Sequence, residues 1–532
     1  MQMQYPLEEK IGPPDLLVGR KYEFDEFNWW LDGIPGKLSK SRVILARRKS
    51  GKTSFVQRIF NQLWSQNGQV VPFYFDIADQ NIWLHKLAIN YYTAFTSQYI
   101  SFLERDPVLV SRHLSLEKIH AYAVEKNLDG MRNDTEYMLD DLAKGERDMD
   151  ILWNIATHAP HRYASGTNTR FLVILDEFQN IANHVYRNEG CEGKPDDSMP
   201  GSFHSLSESK VAPMLVTGSY PGILMDIMAE HLEAGRLSIF EMNPYLTSDE
   251  GLKAVRQYAK VYRATMKDET ERHLNKLCMS DPFLISCVIL NRFPGKTLIT
   301  KDGVVAAVNY EITNRSSEMS KTWAEYLRRT FRKVNGTTTK KLMLFLNKHN
   351  QRDWTPKELR KELNLDLSEE DVYERLVALE GTDVIQRINS DIDFRGLADG
   401  TLKLVLRHRF EKEIEGVEPN FKEEFEAQLA EAKDEADTWR GRAADYKGKL
   451  AERNLVIEFH KHKQIRLSDY FTGVSDSRLF TIAKLQERVS YQRLTGKNEE
   501  IDIIIGLWIK PKSLAHWRRC KIKNKLERGI SN

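Results

Sequence analysis

The chain has 532 residues with a formal net charge of +2; 41% of them are hydrophobic, 29% charged and 10% aromatic. At roughly 150 residues per domain, that length predicts three to four domains with cores of their own and excludes a single compact one. The aromatic content excludes a largely disordered chain, and the longest apolar runs, FLVIL at 171–175 and IDIIIGLWI at 501–509, fall well short of a membrane span. The opening MQMQYPLEEK has no basic region followed by an apolar core, and Cys191, Cys278, Cys287 and Cys520 form no CxxC pair. The expected location is therefore the cytoplasm, with no membrane partner.

Over the first 300 residues, short apolar runs alternate with longer amphipathic stretches, the rhythm of a parallel sheet flanked by helices. The predicted strands are RVILA (42–46), VVPFYFDI (70–77), FLVILD (171–176), APMLVTGS (212–219) and LSIFEM (237–242). Their β-rich runs lack alternation, which suits strands covered on both faces. This α/β domain is placed at 1–245, with a helical insertion at about 82–165. The stretch NEGCEGKPDDSMPGS after the third strand reads as a mobile loop.

A helical lid domain is expected over 246–330. Over 331–415, three helical segments (TTTKKLMLFLNKHN, TPKELRKELN, SEEDVYERLVALEG) precede two β-like ones (DVIQRINS, TLKLVLRHRF), the pattern of a winged helix. Between 420 and 455, Phe425, Leu429, Ala432, Ala436, Trp439, Ala443, Tyr446 and Leu450 alternate spacings of four and three. That predicts a coiled-coil helix, an arm that packs on a second chain in self-association or folds back on its own domain. The tail, 456–532, reads as a small mixed α/β segment in which 16 Lys and Arg outnumber 8 Asp and Glu.

The strongest chemical motif is ILARRKSGKTSF at 44–55, directly after a predicted strand and at the start of a helix, where a phosphate-binding loop belongs. Gly51 lets the backbone turn closely around a phosphate, Lys52 supplies a cation for the β- and γ-phosphate oxygens, and the Thr53 hydroxyl can ligate magnesium. Ala46 replaces the first glycine of GxxxxGK[ST] at modest cost, since the phosphate contacts come from the amides of Lys49, Ser50, Gly51, Lys52 and Thr53, with Ser54 following on the helix. The second motif is FLVILDEFQ, whose strand ends in Asp176 and Glu177. An aspartate there can hold magnesium through water, and the adjacent glutamate can activate the attacking water. Ser219 closes the next strand, either as a turn former or as a contact to the γ-phosphate or that water.

These segments resemble the signal-transduction ATPases with numerous domains (STAND), specifically the archaeal-type ATPase branch related to the origin-recognition AAA+ proteins. The resemblance rests on LLVGRKYEFDEFNWWL, ARRKSGKTS, VILDEFQ, LVTGS, AGRLSIFEMNPYL and SDPFLIS, in that family's order across residues 10–410. It implies a P-loop NTPase domain that binds ATP and Mg2+. Val18, Gly19 and Arg20 would lie beside the adenine, Lys52 and Thr53 on the phosphates and magnesium, and Asp176 with Glu177 in the hydrolytic role. Arg236 would point at a γ-phosphate, although it could instead cap the preceding helix. Pro282 would report nucleotide state to the helical domain, with Ser280 standing where the family has glycine.

The tail has a fainter resemblance to restriction-endonuclease-like domains. Asp502 in GKNEEIDIIIG looks like a first metal ligand, but Lys521 in CKIKNK stands where the partnering Glu belongs, which predicts a degenerate tail without cleavage. The run from Lys510 to Arg528 carries eight basic residues and one acidic, giving either a solvated tail or nonspecific nucleic-acid contact. In the predicted winged helix, Glu369, Glu370, Asp371 and Glu374 would repel a DNA backbone, which favours a packing or regulatory role. The sequence reading is thus a slowly hydrolysing ATP switch. Its alternatives are an ATP-dependent DNA-associated loader or partitioning protein, and a nucleotide-binding scaffold without turnover.

Overall fold

The computed structural model describes residues 3–145, 148–232, 235–333, 336–380, 384–387, 392–396, 400–415, 464–470, 478–492, 498–508 and 518–521. They fall into two compact units divided between residues 440 and 441. The predicted coiled arm at 420–455 lies outside the described residues, and of the basic run after 510 only Arg518–Lys521 is described.

The first unit begins with α1 (Lys21–Asp32) and continues through β1 (Arg42–Leu45), α2 (Lys52–Gln66), β2 (Val70–Asp76), β3 (Ile82–Trp83) and α3 (Leu84–Glu104). Then come α4 (Leu116–Glu125), α5 (Asp129–Lys144), α6 (Met149–Gly166), β4 (Arg170–Asp176), α7 (Asn180–His184) and β5 (Val185–Tyr186). β6 (Met214–Thr217), α8 (Pro221–Ile227) and β7 (Ser238–Glu241) complete its α/β part. The expected strands form one parallel five-stranded sheet in the order β2-β4-β6-β1-β7. The run FLVIL is fully buried within β4, as a central strand covered on both faces requires. β7 departs from that expectation: it is an edge strand, Ile239 is 49% exposed, and only Phe240 is tucked under Phe27 of α1.

The helical insertion covers the other edge. Phe95 and Tyr99 of α3 pack edge-on against Phe171, and the Tyr92 and Tyr163 hydroxyls meet at 2.8 Å between α3 and α6. Gln98 brackets the free side of β2, accepting from the Tyr74 amide and donating to the Tyr74 carbonyl, each at 2.9 Å. An amide side chain thus occupies the place of a sixth strand and blunts the edge. The loop expected to be mobile has pinned ends. Asp196 accepts from Arg187 at 2.7 Å, and its amide donates to Val185; Asn188 closes a turn on Glu192.

Ahead of α1 an extended strap crosses α2. The amides of Gln4, Leu7 and Lys10 donate to Ser65 Oγ, Asn61 Oδ1 and Gln57 Oε1 at 2.8, 3.0 and 2.8 Å. Those acceptors recur every four residues, one stripe of a helix, so buried polar side chains serve as the strap's ladder.

Helices α9 (Ser248–Val261), α10 (Asp268–Leu277), α11 (Pro282–Leu290), α12 (Lys301–Thr313) and α13 (Glu318–Lys333) follow. Next are α14 (Thr337–Lys348), α15 (Pro356–Glu362), α16 (Glu369–Glu380), the antiparallel pair β8 (Ile385–Arg387) and β9 (Phe394–Gly396), and α17 (Gly400–Glu415). The expected three helices are present, but TLKLVLRHRF is the helix α17 and not a strand. The second strand of the hairpin is β9, which also bridges to Trp354. The misreading has a physical cause: Leu402, Leu404, Val405, Leu406 and Phe410 are all buried, and a helix covered all round loses the 3.6-residue period. The segments expected as separate lid and winged-helix domains share one apolar core, running from Tyr245 through Trp323 to Phe410.

In the second unit, β10 (Gln464–Arg466), α18 (Leu467–Tyr470), β11 (Leu479–Gln492), β12 (Asn498–Trp508) and β13 (Arg518–Lys521) give an antiparallel sheet in strand order. Asp502 lies on β12, and Lys521 pairs with Ile504 across to β13.

Candidate functional site

The connection from β1 to α2 leaves the carboxyl end of the sheet's second strand from the edge. Gly51 has φ 89°, and nothing lies within 4 Å of where a Cβ would stand, so the chain turns beneath open space. Lys49 is also left-handed, at φ 65°. Ala46 is not among the left-handed residues and is buried in the first core, which is why this loop tolerates alanine where the motif has glycine. Lys52 is buried and folded back on its own loop, its Nζ donating to the carbonyls of Ala46 at 2.7 Å and Arg47 at 3.1 Å. Thr53 and Ser54 follow in the first turn of α2, whose free amides and dipole favour an anion. Two donors here, Ser50 Oγ and Arg48 Nη1, are buried without a hydrogen-bond partner among the described residues. Buried polar groups are rarely left so, and a phosphate is the kind of acceptor they fit.

Asp176 ends β4 at the same end of the sheet, with β6 between it and the loop strand. It is 1% exposed. Its Oδ1 accepts from Thr217 Oγ1 and, at 3.1 Å, from the Glu177 amide; its Oδ2 accepts from the Tyr74 hydroxyl at 3.0 Å. Burial, then the charges of Asp176 and Asp76, pushes the Tyr74 phenol far above its ordinary pKa and keeps it a donor. Glu177 adopts φ 56°, an uncommon conformation for a side chain of this size. Ser219 Oγ donates to its Oε1 at 2.5 Å and Gln179 Nε2 to its Oε2 at 2.6 Å. Ser219 is thus brought to Glu177. Thr217, which sequence reasoning passed over, is the residue on Asp176. Beside them Asp76, in register with Asp176, takes the Lys10 ammonium at 2.7 Å.

Val18, Gly19 and Arg20 stand where the loop meets α9. Arg20 is 3% exposed and donates to Glu23 at 2.9 Å, to the Ser50 carbonyl at 2.9 Å and to the carbonyls of Asn243 and Pro244. Its guanidinium therefore ties the β1–α2 loop to the segment leading into α9. Gly19 lies against Glu250, where a Cβ would come within 2.9 Å, and Val18 packs on the second core. Replacing Arg20 with Ala would strand the Glu23 carboxylate, which is also buried. We expect a loss of about 3 kcal/mol in denaturant unfolding, where an exposed arginine would cost under about 1 kcal/mol.

Pro282 is the first residue of α11, whose next residue, Phe283, lies beside the Lys49 ammonium. Ser280 has φ 59°, a conformation that explains the glycine preference at this position. Sequence reasoning missed the residues around them. All three cations preceding Ser50 reach the helical segment: Arg47 pairs with Asp281, Arg48 lies 3.7 Å from Glu325, and the Lys49 ammonium sits 5.2 Å from the centre of the Phe283 ring.

Arg236 is not brought to this site. It precedes β7, whose first residue pairs with Arg42, so it stands at the amino end of a parallel sheet whose carboxyl end carries the loop. Its side chain pairs with Glu208 at 2.9 Å. The expectation that it points at the γ-phosphate fails for its own chain's loop, because a parallel strand separates the two ends. Arg236→Ala should leave the Kd for ATP of the isolated chain within about twofold in calorimetry; a tenfold loss would return it to the phosphates.

No protein-family model and no curated protein matches the chain. Among solved structures it is similar to the Walker-type ATPase PABY2304 of Pyrococcus abyssi, with 14% identity and a TM-score of 0.47 over 76% of this chain and 98% of that one. It is also similar to the Aeropyrum pernix ORC2 protein in its ADPNP–ADP complexes, with 14% identity and a TM-score of 0.39 over 75% and 97%. A third is the Thermotoga maritima RuvB Holliday junction branch migration motor, with 11% identity and a TM-score of 0.31 over 74% and 96%. The functional reading stands on the geometry of the site. No helix among the described residues is long and apolar enough to cross a membrane.

Proposed function

We propose that the first unit binds ATP with magnesium at the carboxyl end of its sheet and hydrolyses it slowly, as a switch of the STAND type. The observation that carries this reading is the placement of a strand–SGKT–helix loop and the Asp176–Glu177 pair at one end of a single parallel sheet, one strand apart. Magnesium-bound ATP would supply an electrophilic γ-phosphorus with its charge partly neutralised. Lys52 would leave the loop carbonyls to meet phosphate oxygens, while Thr53, and Asp176 through water, would hold the metal. Thr217 and Tyr74 donate to Asp176 and hold its carboxyl group in place. Glu177, oriented by Ser219 and Gln179, takes the proton of the attacking water. Calorimetry with ATP and magnesium, followed by a phosphate-release assay on the same preparation, tests both halves of the proposal. Binding without release selects the scaffold reading.

In the switch reading, α14–α16 with β8 and β9 act as a winged helix that packs rather than reads DNA. Glu369, Glu370 and Asp371 are exposed on the first turn of α16, where groove-entering helices meet phosphates. Self-association through 420–455 and nonspecific nucleic-acid contact through the basic tail complete the proposal. Removing residues 508–532 should abolish any DNA binding, whose affinity falls steeply with salt, and leave ATP turnover unchanged. Salt-dependent binding that survives the deletion would move the nucleic-acid surface elsewhere.

A further inference from the structure

The buried carboxylate of Asp281 joins three parts of the first unit. Its Oδ1 caps α11, accepting from the amides of Phe283 at 2.9 Å and Leu284 at 3.3 Å. Its Oδ2 accepts from the Arg47 guanidinium of the phosphate loop and from Thr401 Oγ1, at 3.1 Å, in the first turn of α17. Asp281 and Thr401 are both 0% exposed. The surroundings repeat the connection: the Thr401 amide donates to the Tyr245 hydroxyl at 3.2 Å, and the Arg47 guanidinium lies 5.8 Å from the Tyr245 ring and 5.6 Å from that of Trp323. More than 100 residues of sequence separate each of Arg47, Asp281 and Thr401 from the next, yet one carboxylate holds all three.

We propose that Asp281 is a positioning residue through which the state of the phosphate loop sets the hold on α17. This rests on the ATP-binding reading and names its regulation. Lys52 donates to the Arg47 carbonyl at 3.1 Å. When Lys52 turns to a phosphate, that carbonyl is released and the loop backbone is free to shift. The Arg47 guanidinium then has a multiply charged anion competing with a single carboxylate. As Arg47 leaves, Asp281 becomes a buried charge without its cation, a state that strongly favours opening. The contact free to open is that of Thr401, held by two hydroxyl bonds on top of the packing of α17, rather than that of α11, whose own amides keep the other oxygen. Nucleotide thereby loosens α17, the last described helix of the shared core.

Hydrogen exchange on the full-length chain tests this, with no nucleotide, with ADP, and with a non-hydrolysable ATP analogue plus magnesium. In the wild type the analogue should speed exchange at the amides of 401–405 by at least about tenfold, with α3 in the other core unchanged. Asp281→Asn keeps the helix cap, since asparagine caps as well as aspartate. It should give fast exchange at 401–405 with or without analogue. Thr401→Val cuts only the α17 arm and should do the same, with the analogue's Kd within about twofold of the wild-type value. The proposal is overturned if the analogue binds and the wild-type exchange at 401–405 does not change, or if Thr401→Val keeps the nucleotide response. A chain that fails to bind the analogue at all sinks the ATP reading itself and this proposal with it.

Discussion

Glu177→Gln should leave ATP bound with near wild-type affinity while steady-state phosphate release falls by at least about two orders of magnitude, the lower range of general-base contributions. The substitution keeps the side chain's volume and its left-handed backbone. Glutamine can still accept from Ser219 through its carbonyl, but its amide nitrogen cannot accept from Gln179 Nε2, so one of the present bonds is lost. Neither bond touches the loop, so binding should survive. What disappears is the negative charge that draws a proton from water. Wild-type turnover in this variant would place the base elsewhere, and Asp76, beside Asp176 in the sheet, would be the next carboxylate to test.

Lys52→Ala should weaken ATP binding at least tenfold by calorimetry and leave the melting transition close to that of the wild type. An ammonium–phosphate contact is worth about 1.5–3 kcal/mol, which sets the scale of the loss. The fold should tolerate the change because Nζ donates to two carbonyls of its own loop and not across to the packed side chains of another element. Alanine also keeps the helix propensity of the first turn of α2. Unchanged affinity would remove the phosphate-binding assignment, whatever the sheet order.

The strands around the site are legible in the sequence because a strand covered on both faces writes itself as an uninterrupted apolar run, as FLVILD does. The loop is legible because its chemistry needs consecutive residues. What the chain brings together from a distance is not. Thr217 on Asp176 could be inferred only from the register of two strands, and Ser219 drew attention because it closes the apolar run. Asp281 caps α11 just ahead of Pro282, yet nothing local in the sequence ties it to Arg47 or Thr401. Arg236 stands beside a real strand, but at the end of it that faces away from the loop. TLKLVLRHRF misleads because burial on every side erases the period that separates helix from strand.

The strap over α2 bears on how the chain is made. Its amides find their acceptors 61, 54 and 47 residues downstream, so the strap has no place to dock until Ser65 has been synthesised and α2 has wound. At about 5–20 residues per second the ribosome leaves it untethered for roughly 3–12 s. During that interval Gln57, Asn61 and Ser65, each under 8% exposed in the finished fold, face water as an ordinary polar stripe. The strap thus settles only after residues made well behind it, and helix α2, which opens with Lys52, acquires its outer support only then.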